Sequence, residues 1–315
     1  MAGLGARYVE LVAWTVLPLL VGLELRRRGH GRELASRALS IALYACQTPI
    51  AMLAVWVATV RRESTLLPLL VLVGWLVTLA LFWRLSRSMA GLPKRRGAFL
   101  AAMSMSNHGY TLLGFVALAL FGDAGLAQAT YAHFFTLPYT LLLCFPLFRY
   151  FGQGGELELG QVLRENTRDV KVILPLAAMV LGLVLNLTGV PRPAFFSTVT
   201  RLLIWIGTAL CGVAIGVIAR GALLPRYWRE NLASLVYRAT LYPLLYLLLA
   251  KLAGLGALDT RVLVLYGLVP SGLLANLAAV FFDLDTDLTS SLYLVGTVVF
   301  LVVTLPLFAL VAVLG

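Results

Sequence analysis

The sequence SMSNHGYT, residues 104–111, interrupts one long apolar stretch of the chain, and YGLVPSG, residues 266–272, interrupts another. Each cluster combines polar side chains with glycine or proline, which are residue types that weaken a helix. The flanking residues are apolar over lengths that suit a membrane-spanning helix of about 20 residues. Each cluster therefore predicts a broken helix inside a membrane span, and the two breaks decide how the rest of the chain is interpreted.

The composition of the whole chain agrees with a membrane location. Its 315 residues are 61% hydrophobic and only 12% charged, and the mean hydropathy is +0.93. Soluble domains carry about 25% charged residues, so no stretch predicts a separate soluble domain. The first apolar run, Leu11 to Leu25, continues directly into Arg26 without a small-residue cleavage pattern. We interpret it as a retained span and not as a signal peptide.

Ten apolar stretches predict an all-α integral membrane protein with ten transmembrane helices. They lie near residues 8–25, 38–60, 65–83, 98–121, 125–148, 172–190, 195–219, 232–254, 260–282 and 288–314. Five lie on each side of a polar segment, so the second half has the opposite orientation. The sequence thus predicts a first five-helix repeat over 1–151, a cytoplasmic linker over 152–171, and a second, inverted repeat over 172–315.

The net charge of +11 suggests nucleic acid as a partner, but the placement of the charges excludes that interpretation. Most lysines and arginines lie in alternate connections between the apolar stretches. The positive-inside rule places those connections in the cytoplasm of a cell (inner) membrane protein, with both termini on the non-cytoplasmic side. The three cysteines lie singly in apolar runs, and the sequence predicts no cofactor and no metal site.

Self-similarity near the end of each half supports an internal repeat. A shift of 160 residues places Phe121-Gly122-Asp123 on Phe281-Phe282-Asp283 without a gap. The same shift places Pro146-Leu147-Phe148 on Pro306-Leu307-Phe308. Inverted repeats with broken helices are typical of secondary transporters, whose substrate sites lie near the bilayer midplane. A packing kink without a site is the alternative interpretation of each polar cluster.

Several stretches resemble the auxin efflux carrier family, which includes plant auxin transporters and bacterial members and is distantly related to bile-acid sodium symporters. They are Leu17 to Gly31, Asn107 to Ala127, Val172 to Pro193, Leu202 to Gly216 and Val269 to Phe308. The resemblance implies crossed, broken fourth and ninth helices and export or facilitated movement of small organic anions by an elevator-like motion. Phe115 stands where the family has a proline, and Leu274 stands where it has an asparagine.

Both broken spans supply candidate substrate-binding residues. Asn107 matches the crossover asparagine of the family, and its amide can donate to a carboxylate. His108 lies inside a span, where ionisable side chains are costly and often functional. With His133 it is a candidate for proton coupling, because imidazole titrates near neutral pH. The full candidate set is Ser106, Asn107, His108, Gly109, Thr111, Pro270, Ser271 and Asn276, with no catalytic residue and no metal ligand.

The leading hypothesis is a secondary transporter that moves a small, carboxylate-like organic anion across the lipid bilayer. Two alternatives stay open: a sodium-coupled symporter of the bile-acid type, and a membrane sensor that binds a ligand without transporting it. The sequence contains no GxSxG or HExxH pattern and no pair of carboxylates inside the spans. It therefore gives no indication of an enzyme. Relatives in the family suggest a homodimer, although no stretch of this sequence identifies an interface.

Overall fold

The computed structural model describes residues 2–58, 64–89, 91–154, 170–218 and 225–314. Most of the predicted linker, residues 155–169, lies outside this part of the chain. Over the described residues the chain is helical and contains no named strand. The helices, in chain order, are α1 (Ala2–Arg27), α2 (Arg32–Ser40), α3 (Thr48–Val55), α4 (Leu67–Met89), α5 (Pro93–Ser104), α6 (Phe115–Ala132), α7 (Thr136–Tyr139), α8 (Phe145–Gln153), α9 (Val170–Leu187), α10 (Phe195–Ile218), α11 (Trp228–Ala239), α12 (Leu241–Leu252), α13 (Ala257–Leu268), α14 (Leu273–Phe281), α15 (Thr286–Val299) and α16 (Leu305–Leu314).

Seven helical runs among the described residues are long and apolar enough to cross a membrane. They are Tyr8–Arg27, Glu33–Val55, Ser64–Ser88, Leu112–Gln153, Phe195–Ile218, Pro225–Leu252 and Thr286–Ala312. Large apolar side chains are exposed along them, for example Leu20 and Val311, which suits contact with lipid and not with water. The protein is therefore a multi-pass, all-helical membrane protein.

The predicted number of ten spans differs from these seven for a physical reason. The predicted spans 98–121 and 260–282 are each divided by non-helical residues, so neither forms one long helix. The run Leu112–Gln153 is 42 residues long and changes direction at Gly122, whose φ is 67°. The predicted span 172–190 contains only a shorter apolar helix, Leu174–Leu187. The number ten and the inverted repeats stay predictions.

The chain forms two compact units, and each unit draws residues from both halves of the sequence. Unit 1 consists of Met1–Thr65, His108–Phe134 and Val170–Ala219, and unit 2 of Leu66–Asn107, Phe135–Asp169 and Arg220–Gly315. Unit 1 therefore contains α1 to α3, α6, α9 and α10. Unit 2 contains α4, α5, α7, α8 and α11 to α16. The change from unit 2 to unit 1 at residues 107 and 108 falls within the first predicted break.

Close packing of α1 against α10 holds part of unit 1 together. A Cβ atom built on Gly22 would lie 2.2 Å from the carbonyl oxygen of Val213, and one built on Gly216 would lie 2.3 Å from that of Leu19. Only glycine permits the two backbones to approach so closely, and small residues are the usual means of packing helices in membranes.

Widened, π-helical turns interrupt several helices just before a proline. Thr140–Cys144 precedes Pro146, and Phe300–Thr304 precedes Pro306. Proline has no N–H, and its ring disturbs the carbonyl one turn earlier, so a bulge of this kind is a common response. The two π-helical turns are 160 residues apart, which is the spacing of the sequence repeat.

Candidate functional site

The two breaks predicted from the sequence meet each other inside unit 2. Helix α5 ends at Ser104, α13 ends at Leu268, and α14 begins at Leu273. Ser106 and Ser271, from the two non-helical segments, form an isolated antiparallel β-bridge. The Asn107 N–H donates to the carbonyl of Pro270 at 2.7 Å, and the Gly272 N–H donates to the carbonyl of Met105, also at 2.7 Å.

This pairing provides hydrogen-bond partners for backbone groups that the broken helices leave free. Backbone N–H and C=O groups freed from a helix find no water in the bilayer core and must be satisfied by protein or by a cavity. Here each break satisfies part of the other. Gly272 makes the approach possible, because a Cβ atom there would lie 2.6 Å from the carbonyl oxygen of Ser106.

Arg238, near the end of α11, lies beside this bridge and is only 4% exposed. Its Nη1 donates to the Oγ of Ser106 at 2.5 Å and to the carbonyl of Val269 at 2.7 Å. Its Nη2 donates to the carbonyls of Ala102 and Met103 at 2.9 and 3.3 Å. One guanidinium thus joins the ends of two helices and the first break.

The position of this guanidinium has an electrostatic explanation. The last carbonyls of a helix have no intrahelical partner, and each helix C-terminus carries about half a negative charge. The carbonyls of Ala102 and Met103 belong to the last turn of α5, and that of Val269 directly follows α13. Two helix C-termini together balance about one positive charge. Within the described residues, no ion pair joins Arg238 to a carboxylate.

Three polar atoms around the breaks of unit 2 are buried and have no hydrogen-bond partner among the described residues: Oγ of Ser271, Nδ2 of Asn276 and Nε of Arg238. Ser271 is 1% and Asn276 is 4% exposed. The Oδ1 of Asn276 accepts from the Oγ of Ser290 at 3.2 Å, so the amide presents its donor side elsewhere. Unsatisfied buried polar groups cost about 1–3 kcal/mol each, and a bound ligand would supply the missing partners of such groups.

Two of these donors, those of Ser271 and Asn276, belong to residues at the start of a half-helix. Gly272 is the N-cap residue of α14, and no side chain caps this helix. Asn276 lies in the first turns of α14, whose free N–H groups and dipole present partial positive charge. The negative C-terminal ends of α5 and α13 are already balanced by Arg238. They are therefore not available to balance the positive N-terminal end of α14. The arrangement suits an anion.

Of the predicted site residues, Ser106, Asn107, Pro270 and Ser271 come together at the bridge, and Asn276 lies in the same unit. Asn107 is buried.

The other predicted site residues belong to unit 1. Gly109 is the N-cap of the helical segment that begins at Tyr110, with an extended backbone (φ −69°, ψ 175°) that does not require glycine. Thr111 lies in a π-helical turn, and its side chain is outside the described part of the chain. These positions leave the roles of both residues as predictions.

His108 and His133 face each other within unit 1. Their ring centroids are 6.3 Å apart, and the rings are nearly perpendicular, at 77°. His108 is 7% exposed, and His133 follows the last residue of α6. The sequence named both as proton-coupling candidates, and their proximity is consistent with a shared function.

A polar network lies at the N-terminal end of α11 in unit 2. Arg95 pairs with Glu230, which is fully buried, at 2.5 Å. The hydroxyl of Tyr227 donates to Asp285 at 2.9 Å, and Asp285 caps α15 by accepting from the N–H of Leu288 at 3.0 Å. These contacts connect α5, α11 and α15. The first break begins where α5 ends.

Arg238 is the buried charged residue at the breaks that the sequence reasoning did not single out. The positive-inside argument treats the lysines and arginines of the connections alike and gives no separate role to Arg238, which lies inside the predicted span 232–254. A lone arginine inside an apolar span is a functional candidate by default. That signal was present, but the alternating clusters of basic residues made a topological interpretation equally natural.

Comparisons with known proteins agree with this geometry. The model of the membrane transport protein family matches residues 9–309. A protein of Methanothermobacter thermautotrophicus described as an uncharacterized transporter is 32% identical over 247 residues, which are 74% of this chain and 73% of that protein.

Proposed function

The chain belongs to the membrane transport protein family, and we propose that it is a secondary transporter that moves a small organic anion. Membership in the family confirms the resemblance to auxin efflux carriers found in the sequence. The protein is a membrane transporter by family. The class of substrate and the mechanism are our proposal.

The charge balance around the bridge carries the proposal. The guanidinium of Arg238 balances the two helix C-termini that approach it. The N-terminus of α14 then lacks a negative partner among these groups, and helix N-termini bind anions through their free N–H groups. An anion at this point would balance the partial positive charge of this helix N-terminus.

Carboxylates are the favoured class because of the donors that lack partners. A carboxylate has two oxygens that accept hydrogen bonds and donates none when ionised. The Oγ of Ser271 and the Nδ2 of Asn276 are donors for which the described part of the chain supplies no acceptor. Asn107 and Pro270, held together by a backbone hydrogen bond, would position the same segment. We therefore assign substrate binding first to Ser271 and Asn276, and then to Asn107.

Alternating access is proposed to occur by an elevator-type motion of one compact unit relative to the other. The division of the chain into two units supports this mechanism. The proposal also includes the inverted repeat, with both termini on the non-cytoplasmic side. The two π-helical turns 160 residues apart support the repeat, and the distribution of basic residues supports the orientation.

A thermal-shift screen tests the class of substrate, since a ligand that binds the folded protein raises its melting temperature. Purified protein would be compared with lactate against propane-1,2-diol and with benzoate against benzyl alcohol. We expect stabilisation by one or more carboxylates and none by the matched neutral compounds. Equal stabilisation by both members of each pair would contradict an anion site.

The same screen separates the two alternatives. Stabilisation by a carboxylate only when sodium is present would favour a symporter of the bile-acid type. Stabilisation without any flux of that carboxylate in proteoliposomes would favour a sensor. Carrying out the screen at two pH values also tests whether proton binding is coupled to that of the substrate.

A further inference from the structure

We propose that Arg238 is a fixed cation that occupies the position of a coupling cation, so that substrate binding at the breaks does not require sodium. This inference rests on the proposed function, because it concerns the ion that accompanies the anion. It assigns a role to a residue outside the two breaks, and it decides between two modes of coupling.

The first step concerns the carbonyl groups. In transporters with broken helices, unwound carbonyls and half-helix C-termini are the usual ligands of a coupling sodium ion. The corresponding carbonyls here, those of Ala102, Met103 and Val269, accept hydrogen bonds from Arg238. A sodium ion and the guanidinium would compete for the same oxygens. The cation that the carbonyls require is therefore already part of the protein.

The second step concerns the number of donors. A guanidinium has five N–H donors and stays charged in proteins. Four acceptors surround Arg238, namely three carbonyls and the hydroxyl of Ser106. Its Nε is buried without a partner. The four acceptors thus surround the guanidinium as ligands surround a metal ion, and only the Nε donor remains unused.

The third step concerns how the arginine is held in place. Tyr237 precedes it, and its ring stacks on that of Tyr242 with centroids 5.0 Å apart. The hydroxyl of Tyr237 is hydrogen-bonded to Oγ1 of Thr78 at 2.6 Å. Both tyrosines are buried. The backbone around Arg238 is therefore anchored in unit 2, and the cation cannot leave with the substrate.

The test replaces the fixed cation by a free one. Arg238→Ala would leave a space lined by the carbonyls, into which a free guanidinium or sodium ion could enter. We expect guanidinium at about 10 mM, far below denaturing concentrations, to raise the melting temperature of the variant and not that of the wild type. Sodium should stabilise the variant in the same way, but more weakly. Arg229→Ala is the matched control, since this exposed residue lies on the same helix.

Flux adds a second measurement. Carboxylate flux by Arg238→Ala in proteoliposomes should fall at least tenfold and recover in part on addition of guanidinium, whereas wild-type flux should not change when sodium is replaced by choline. A sodium requirement in the wild type, or a folded variant whose stability responds to neither cation, would overturn the proposal. The stability measurement needs no substrate, so it stands even if the proposed anion transport fails.

The proposal can also be tested if Arg238→Ala does not fold by itself. If Arg238→Ala is recovered only when guanidinium or sodium is present during purification, the proposal is supported. If it is not recovered with either ion, Arg238→Lys decides, because lysine keeps a fixed positive charge at this position. Flux by this variant should remain independent of sodium, and a newly acquired sodium requirement would contradict the fixed-cation role.

Discussion

Arg238 donates a hydrogen bond from Nη1 to the Oγ of Ser106 at 2.5 Å, and the same nitrogen donates to the carbonyl of Val269 at 2.7 Å. A single side chain from α11 therefore joins the two breaks that were predicted from widely separated parts of the sequence. The breaks are held by their own backbone pairing and by this guanidinium. The following predictions test the parts of that arrangement.

Replacing Gly272 by alanine should disrupt the bridge between the breaks. The added Cβ would lie 2.6 Å from the carbonyl oxygen of Ser106, and such overpacking costs about 1–3 kcal/mol. We expect a lower melting temperature and a loss of flux. Gly256→Ala is the control, because no heavy atom lies within 4 Å of a Cβ at that position. Equal behaviour of the two variants would argue against the close approach.

Replacing Asn276 by aspartate should weaken substrate binding more than it weakens folding. The change exchanges the Nδ2 donor for an acceptor and adds a negative charge beside the proposed anion. A hydrogen bond to a charged group contributes about 1.5–3 kcal/mol, so KM for carboxylate flux should rise at least tenfold. Asn231→Asp is the comparison for damage to folding alone, because it also removes a donor, to the carbonyl of Tyr227 and to Ser291, and should lower stability without raising KM. An unchanged KM for Asn276→Asp would remove this residue from the site.

Replacing Arg192 by alanine should destabilise unit 1. Its Nη2 donates to Asp123 at 3.0 Å and its Nη1 to the carbonyl of Leu53 at 2.8 Å, and its side chain is only 7% exposed. Asp123 would keep the hydrogen bond from Ser197, but the carbonyl of Leu53 would lose this donor and the carboxylate its ion pair, at a cost of about 1–3 kcal/mol. The melting temperature of this variant should fall. Arg201→Ala is the control and should have little effect, because Arg201 is exposed. A stable Arg192→Ala variant would show that water replaces the network.

Replacing His108 by glutamine tests proton coupling. Glutamine keeps hydrogen-bonding capacity but does not titrate near neutral pH, as imidazole does. If the facing pair of His108 and His133 couples protons, the variant's flux should no longer respond to a pH gradient. The exposed His30 provides the control as His30→Gln. A response to the gradient that equals that of the wild type would exclude His108 from coupling.

The breaks could be predicted from the sequence because helix-weakening residues stand out in an apolar span. Ser106 and Pro270 lie in polar clusters within apolar spans, and the structure has non-helical backbone at both. Their pairing with each other could not be derived from composition. It depends on the three-dimensional approach that Gly272 permits, and one glycine among 28 gives no such signal.

The role of Arg238 could not be inferred from counting charges. The positive-inside rule treats an arginine as a marker of topology, whereas burial of this one depends on two helix C-termini that only the folded chain brings together. The division into two compact units could not be inferred from the sequence for a similar reason. Each unit combines segments from both halves, so a boundary placed by sequence order does not follow the packing.

The most direct measurement of the central claim is counterflow of a radiolabelled carboxylate, chosen from the stability screen, in sodium-free proteoliposomes. The wild type should accumulate the label against unlabelled carboxylate inside, and the double variant Ser271→Ala, Asn276→Ala should not. Ser88→Ala, at an exposed position of α4, should behave as the wild type. Undiminished counterflow by the folded double variant would contradict an anion site at the meeting of the two breaks.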